Sequence, residues 1–119
     1  MSTKLPKQVK LKSEKQITLL FKEGKSFTTY PLRFHYIVND NLDSKVLFSA
    51  PKRLFKKAVD RNRAKRILRE GYRKHERIKE YPIHLAISYI ATSNLEQSDK
   101  ITTALSKGLR QFDSHFEVG

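Results

Sequence analysis

Two periods of hydrophobic residues run along this chain, and each predicts a different kind of element. Near the N-terminus, apolar residues recur at the spacing of a helix that buries one face. These residues are Ile17, Leu20 and Phe21. Ser13 with Gln16 forms a capping-box pattern, and Gly24 is a typical helix stop. The pattern predicts a helix over residues 13–23.

A strict alternation after Pro31 predicts a strand. One face would carry Leu32, Phe34, Tyr36 and Val38, and the other face Arg33, His35 and Ile37. A turn-forming cluster at residues 39–44 separates this strand from a returning strand at residues 45–50, and a further short strand is predicted around residues 26–30. The aromatic side chains of this region either stack on single-stranded bases or form a half-buried core.

Two more elements complete the predicted order. Residues 83–90 are apolar on both faces except at His84 and Ser88, which is typical of a central buried strand. A last helix begins at Ser98, and a short polar tail follows from Asp113. The apolar side of this helix is formed by Ile101, Ala104, Leu105, Gly108, Leu109 and Phe112.

The segment from Lys52 to Lys79 carries most of the charge. It holds 13 of the chain's 25 lysine and arginine residues but only three of its 12 acidic residues. A helical period in its middle gives an apolar side made of Ala64, Ile67, Leu68, Gly71, His75 and Ile78. The opposite side is a row of Asn62, Arg66, Arg69 and Arg73, flanked by Lys65 and Arg77. Because guanidinium groups suit forked contact with phosphate, this row is a candidate anion-binding face.

The start of this basic helix favours the same interpretation. A helix N-terminus has unpaired N–H groups and a partial positive charge, which attract phosphate and repel cations. Lys56, Lys57, Arg61 and Arg63 nevertheless accumulate there. An anionic partner would relieve that repulsion, whereas the alternative is a charged face that contacts only water.

Composition narrows the classes of partner. With a formal net charge of +13 and a pI near 10.1, nucleic acid is the first partner to consider and acidic lipid the second. The absence of cysteine excludes disulfides and cysteine-based zinc sites and is compatible with a cytoplasmic protein. The chain has no apolar run of membrane-spanning length, and its N-terminus lacks the apolar core of a signal peptide.

The order of elements predicts one domain. Helix, strand, strand, strand, basic helix, strand and helix fit an α+β fold with a single sheet, and residues 1–119 are short enough for a single domain. Residues 1–12 contain four lysines and no acidic residue, so we expect a flexible basic arm there, which either contacts phosphates or serves only as a solubilising tail.

Candidate catalytic residues are few. The four histidines are scattered, and no metal-binding, phosphate-loop or nucleophile motif is present. A pair of His35 and His84 across strands would be suited to a metal-free nuclease. Taken together, the residues favour binding over chemistry.

The basic segment resembles the signature of the bacterial ribonuclease P protein component. The matching residues are Pro51-Lys52-Arg53, Lys56-Lys57-Ala58-Val59, Arg61-Asn62-Arg63-Ala64-Lys65-Arg66 and Arg69-Glu70. Phe21-Lys22-Glu23-Gly24 is similar to the end of that family's first helix, and the resemblance covers residues 10–112. It implies a two-layer α/β sandwich with about four strands and three helices, and a left-handed strand–helix–strand crossover.

The resemblance also implies a function. The family's protein is a subunit of the endoribonuclease that removes the 5′ leader from precursor tRNA, and the RNA subunit holds the catalytic site with bound Mg²⁺. The protein contacts that RNA and the leader. The resemblance therefore implies ribonuclease P RNA and precursor tRNA as partners, and no membrane or DNA partner. It also implies no catalytic residue or metal site on this chain and no cofactor bound by the protein alone.

The family's site residues can be placed on this sequence. The implied RNA-binding residues are Lys52, Arg53, Lys56, Lys57, Arg61, Asn62, Arg63, Lys65, Arg66, Arg69 and Arg73. The leader would lie in a cleft between the first helix and the sheet, lined by Ile17, Phe21, Phe34 and Tyr36. A shift of strand register by one residue would bring His35 to that cleft instead.

Three other classes of protein remain as alternatives. A non-enzymatic RNA-binding protein, such as a ribosomal protein, has similar size and charge, and the motif alone separates the two. A DNA-binding module would use residues 52–79 as a recognition helix, but no helix-turn-helix spacing supports it. A membrane-surface helix has the weakest support, because the apolar face has few large residues.

Overall fold

The computed structural model describes residues 10–92 and 97–117. Residues 1–9 of the predicted basic arm therefore lie outside the described part, whereas Lys10 and Leu11 pair with Val46 and are not part of a flexible segment. The α-helices of the protein are α1 (Glu14–Glu23), α2 (Ala58–Lys74) and α3 (Ser98–Glu117). Its strands are β1 (Lys25–Thr29), β2 (Leu32–Val38), β3 (Lys45–Ser49) and β4 (Ile83–Tyr89), and a 3₁₀ turn spans Arg77–Glu80. Within the described ranges, none of the helices is long and apolar enough to cross a membrane.

The strands form one mixed sheet in the order β1-β2-β4-β3. β2 pairs antiparallel with both β1 and β4, whereas β3 and β4 are parallel and are connected through α2. The inner position of β4 explains why its sequence is apolar on both faces. The predicted α+β fold, with one four-stranded sheet and three helices, is confirmed. The left hand of the β3–α2–β4 connection stays a prediction.

The main core lies between the sheet and the helices α2 and α3. Its fully buried side chains include Phe34 and Leu85 from the sheet, Tyr72 from α2 and Leu105 from α3. Burial of one such side chain contributes about 1.5–3 kcal/mol, so this layer dominates the stability. Gly108 lets α3 approach closely, because a Cβ at that position would overlap the ring of Phe34.

Helix α1 covers the opposite face of the sheet over a smaller area. The buried residues on this side are Leu11, Leu20 and Ala86, with Ile17, Ile37 and Leu47 packed against them. Oγ of Ser13 accepts a hydrogen bond from the backbone N–H of Gln16 at 3.4 Å, and Gly24 is the C-terminal cap. The predicted first helix and its caps are therefore confirmed.

The C-terminal ends of α2 and α3 differ from the prediction. Helix α2 ends at Lys74, so His75 and Ile78 do not continue its apolar side, and α3 continues past Asp113 in place of a polar tail. One carboxylate links both differences. Oδ2 of Asp113 lies 3.1 Å from Nε2 of His75, and Oδ1 accepts a hydrogen bond from the hydroxyl of Tyr81 at 2.6 Å. The extra turn of α3 is thus held against the segment that follows α2.

Candidate nucleic-acid interface

Helix α2 has an apolar side and a cationic side. Its buried residues are Ala64, Ile67, Leu68 and Tyr72. Asn62, Arg63 and Arg66 are exposed, Arg61, Lys65, Arg69 and Arg73 are half-buried, and the exposed Lys52, Arg53, Lys56 and Lys57 lie in the loop before the helix. The structure therefore gathers all eleven predicted RNA-binding residues on α2 and its leading loop. We call these eleven residues the α2 basic surface.

Internal hydrogen bonds order the loop that precedes α2. The N–H groups of Leu54 and Phe55 both donate to the carbonyl oxygen of Pro51 at 3.0 Å. Nη1 of Arg61 donates to the carbonyl oxygens of Phe55 at 2.9 Å and of Lys56 at 3.0 Å. Phe55 is buried, with its ring edge-on to that of Tyr89. Arg61 therefore fixes the loop in addition to contributing charge to the surface.

The N-terminus of α2 is open to an anion. Within the described chain, the N-cap residue Lys57 makes no side-chain capping bond to the helix. The first N–H groups of the helix are therefore not satisfied by a cap, and the helix dipole adds positive potential at the same place. Asp60 is the acidic residue of the first turn and offsets part of that potential.

A second group of candidate residues lies where α1 meets the sheet. Phe21 is 44% exposed, and its ring centroid lies 4.7 Å from that of His35 on β2. Arg33, two residues earlier on the same strand face, is exposed. Ile17 is half-buried against the small core between α1 and the sheet. These four residues, Ile17, Phe21, Arg33 and His35, define what we call the α1–β2 face.

Phe34 and Tyr36 do not line this face, which corrects the predicted cleft. Phe34 is fully buried on the other side of the sheet, stacked on Phe27 with ring centroids 4.9 Å apart. Tyr36 packs edge-on against Phe112 of α3 at 5.0 Å. Alternate residues of a strand point to opposite faces, so the residues toward α1 are Arg33, His35 and Ile37. The sequence contained one signal for this arrangement: Arg33 makes its face of β2 the less hydrophobic one, so the other face, with Phe34 and Tyr36, is the better candidate for the main core.

His35 and His84 are not directly opposed. In the β2–β4 register, His35 lies opposite Ala86, and His84 lies opposite Ile37. Phe21 packs on the ring of His35, and His84 is buried, with 4% of its surface exposed. The directly facing pair that a metal-free nuclease would use is therefore not formed.

Burial controls the protonation of both imidazoles. It lowers the pKa of His35 below the ordinary value of 6.5, and the positive charge of Arg33 lowers it further. Burial also lowers the pKa of His84; the positive charge of Lys45 lowers it further, and the negative charge of Asp43 raises it. Both rings are therefore neutral in the folded protein at pH 7.

We expect the protein to lose stability as the pH falls below about 6.5. In that range the unfolded chain binds protons at the two histidines that the folded chain does not, so the free energy of unfolding falls with pH. Thermal unfolding midpoints at pH 7, 6 and 5 measure the effect. A His35→Gln/His84→Gln double variant should respond less to pH than His115→Gln, which removes an exposed ring. A wild-type midpoint that stays constant across this range would contradict the expectation.

Metal ligands are not clustered in the described part of the chain. Among residues 10–92 and 97–117, no three His, Asp or Glu side chains are grouped so that they could hold a metal ion. The described residues therefore offer no cluster of ligands for a resident Mg²⁺ ion.

Known proteins resemble this chain in sequence. A family model described as Ribonuclease P matches residues 5–113. The ribonuclease P protein component of Porphyromonas gingivalis is 35% identical over 114 residues, which covers 88% of this chain and 83% of that protein. These matches extend over nearly the whole domain, including α1, the α2 basic surface and most of α3.

Solved structures share the fold. The RNase P protein from Thermotoga maritima has a TM-score of 0.68 at 20% identity, with 86% of this chain and 96% of that chain covered. The RNase P protein of Staphylococcus aureus has a TM-score of 0.64 at 20% identity, with 87% and 90% covered. At these identities the structural likeness establishes the fold, while the sequence matches establish the family. The chain belongs to the ribonuclease P protein family.

Proposed function

We propose that this chain is the protein subunit of a bacterial-type ribonuclease P and assists removal of the 5′ leader from precursor tRNA. The observation that carries the proposal is the α2 basic surface, which sits on one ordered helix and loop in a chain of this family. The surface binds the ribonuclease P RNA, and the α1–β2 face binds the leader. The complex works in the cytoplasm, without a DNA or membrane partner.

Contacts to phosphate provide the affinity for RNA. Each Lys or Arg that neutralises a phosphate releases a counterion, so a surface of this kind binds RNA strongly at low salt. The ordered loop before α2 presents Lys52 and Arg53 in a fixed relation to the helix, because Arg61 holds its carbonyl groups. Arg66 extends the same surface along the helix. Because the cations are spread along an ordered loop and helix, the surface suits a structured RNA better than an isolated anion.

The α1–β2 face suits a single-stranded leader. The exposed ring of Phe21 can stack on a base, and contact with His35 supports it from beneath. Arg33 is exposed on the neighbouring strand and can contact a phosphate of the same strand. Ile17 offers apolar surface one helical turn away. Stacking with few base-specific contacts tolerates many leader sequences.

Cleavage itself is assigned to the RNA partner with its bound Mg²⁺. The protein's residues bind and orient: cations hold RNA phosphates, and the aromatic ring holds a leader base. By joining the RNA subunit and the leader on one small domain, the protein lowers the entropic cost of positioning the substrate. That contribution matters most at low Mg²⁺, where RNA alone is poorly neutralised.

The decisive experiment is cleavage of precursor tRNA by a bacterial ribonuclease P RNA at low Mg²⁺, with and without this protein. Leader release at the mature 5′ end is expected only when both components are present. The protein without RNA and the RNA without protein are the matched controls. Tight RNA binding without stimulation of several ribonuclease P RNAs would contradict the proposal and favour a general RNA-binding protein.

Phe21→Ala is expected to weaken binding of leader-bearing precursor tRNA to the holoenzyme about fivefold or more, because one base stack is lost. Binding of mature tRNA, which has no leader, should be unchanged. Leu19→Ala is the matched control, since Leu19 is 45% exposed on the same helix but lies outside the α1–β2 face. Equal losses for both tRNAs would show that Phe21 does not contact the leader.

A further inference from the structure

A groove lies along the outer edge of β3, between the segment before α1 and helix α2. Its volume is about 200 Å³. It is lined by apolar Leu47 and Phe48 from β3 and by the cationic residues Lys10, Lys12, Lys65 and Arg69. Among the described residues that line it, none is acidic. We call it the β3-edge groove.

Backbone hydrogen bonding fixes two of the lysines at this edge. The N–H of Leu11 donates to the carbonyl oxygen of Val46 at 2.9 Å, and Lys10 forms a parallel bridge with Val46. Leu11 is buried in the small core under α1. Alternation along an extended chain then turns its neighbours Lys10 and Lys12 to the other side. The sheet therefore holds both lysines beside the groove.

Helix α2 provides the facing wall. Lys65 and Arg69 are four residues apart in sequence and so share one face of the helix. The ring of Phe48 lies edge-on to that of Tyr72, with centroids 5.6 Å apart. Because Tyr72 is fully buried, it keeps Phe48 in a defined position. The groove is thus bounded by ordered elements on both sides.

The groove has the chemistry of a nucleotide site. Lysine and arginine side chains without an acidic neighbour attract phosphate, and apolar or aromatic surface accepts a base. Its volume is below the ~300–1,000 Å³ of pockets for drug-sized ligands, which limits the occupant to a group about the size of one base. Lys65 and Arg69 also belong to the α2 basic surface, so an RNA bound along α2 reaches the groove.

We infer that the β3-edge groove receives one unstacked base of the RNA partner. The base lies against Phe48 at the outer edge of β3, and its adjoining phosphates contact Lys12 and Arg69. This inference rests on the proposed function and extends the RNA-binding surface around the edge of the sheet to residues outside the basic segment.

The test measures the affinity of the full-length chain for ribonuclease P RNA over a series of salt concentrations. Lys12→Ala should reduce the slope of log affinity against log salt by about 0.7–0.9. Phe48→Leu should weaken binding about fivefold or more without changing that slope, since a lost base stack releases no counterion. Lys107→Ala, an exposed lysine of α3, should change neither quantity.

Base-specific chemical probing of the RNA gives a readout that does not depend on affinity. One unpaired base should be protected by the wild-type protein and by Lys107→Ala, and should react again with Phe48→Leu at saturating protein. Circular dichroism establishes that each variant is folded at the temperature used. If Phe48→Leu is unfolded, Phe48→Met takes its place and should lose the same protection.

Two outcomes separate failure of the groove from failure of the proposed function. If Arg66→Ala weakens RNA binding while Lys12→Ala and Phe48→Leu leave it unchanged, the proposal for the groove alone is overturned. That is also the result expected if an acidic protein segment occupies it. A wild-type chain that neither binds ribonuclease P RNA nor stimulates its cleavage would overturn both.

Discussion

Phe34→Ala is expected to lower the free energy of unfolding by about 3–5 kcal/mol. The ring is fully buried, stacked on Phe27 and in contact with α3. Its removal leaves a cavity beside Gly108, which has no side chain to fill the space. Domains are commonly stable by only about 5–15 kcal/mol, so this single change takes a large share of the total. Equilibrium unfolding in urea measures the loss.

The matched control for Phe34→Ala is Phe21→Ala in the same unfolding experiment. Phe21 is 44% exposed, so its truncation should cost about 1 kcal/mol or less. When both variants are folded, Phe21→Ala should weaken leader binding more than Phe34→Ala does. A small stability loss for Phe34→Ala, together with weak leader binding, would restore Phe34 to the cleft and contradict its position in the core.

Arg66→Ala is expected to weaken binding to ribonuclease P RNA by about 1–2 kcal/mol, a factor of roughly 5–30. Arg66 is exposed in the middle of the α2 basic surface and makes no contribution to the buried side of the helix. Loss of one phosphate contact should also reduce the slope of log affinity against log salt by about 0.7–0.9. Titration at several salt concentrations measures both quantities.

Two variants accompany Arg66→Ala. Arg66→Lys keeps the charge and should keep the salt slope, although a lysine lacks the forked geometry and restores the affinity only in part. Arg61→Ala should also weaken RNA binding, but through two causes, because it removes a charge and releases the carbonyl groups of Phe55 and Lys56. An Arg66→Ala slope equal to that of the wild type would show that Arg66 does not contact phosphate.

Periodicity was enough to predict most of the fold. The capping pattern at Ser13 and Gly24 gave the first helix to within one residue, and the alternation after Pro31 assigned every residue of β2 to a face. These features depend on neighbours within one turn or one strand, so they are visible in a single sequence. The α+β class followed from the order of the elements.

Contacts between distant segments were not visible in the same way. Alternation separates the faces of β2 but does not say which face α1 covers, and so Phe34 and Tyr36 were assigned to the wrong side. The contact just past the end of α2 is equally distant in sequence, because Asp113 lies 38 residues from its partner His75. The β3-edge groove similarly joins Lys12 to Arg69, which no local pattern brings together.

The hydrogen bonds from Arg61 affect the entropy of association. They hold the carbonyl groups of Phe55 and Lys56, so the backbone of the loop carrying Lys52 and Arg53 is already restricted when the RNA is absent. Ordering of a flexible segment during binding costs conformational entropy that reduces the observed affinity. Because the loop is already ordered in the folded protein, we expect that the free energy of each phosphate contact in the proposed complex appears more fully as affinity for the RNA.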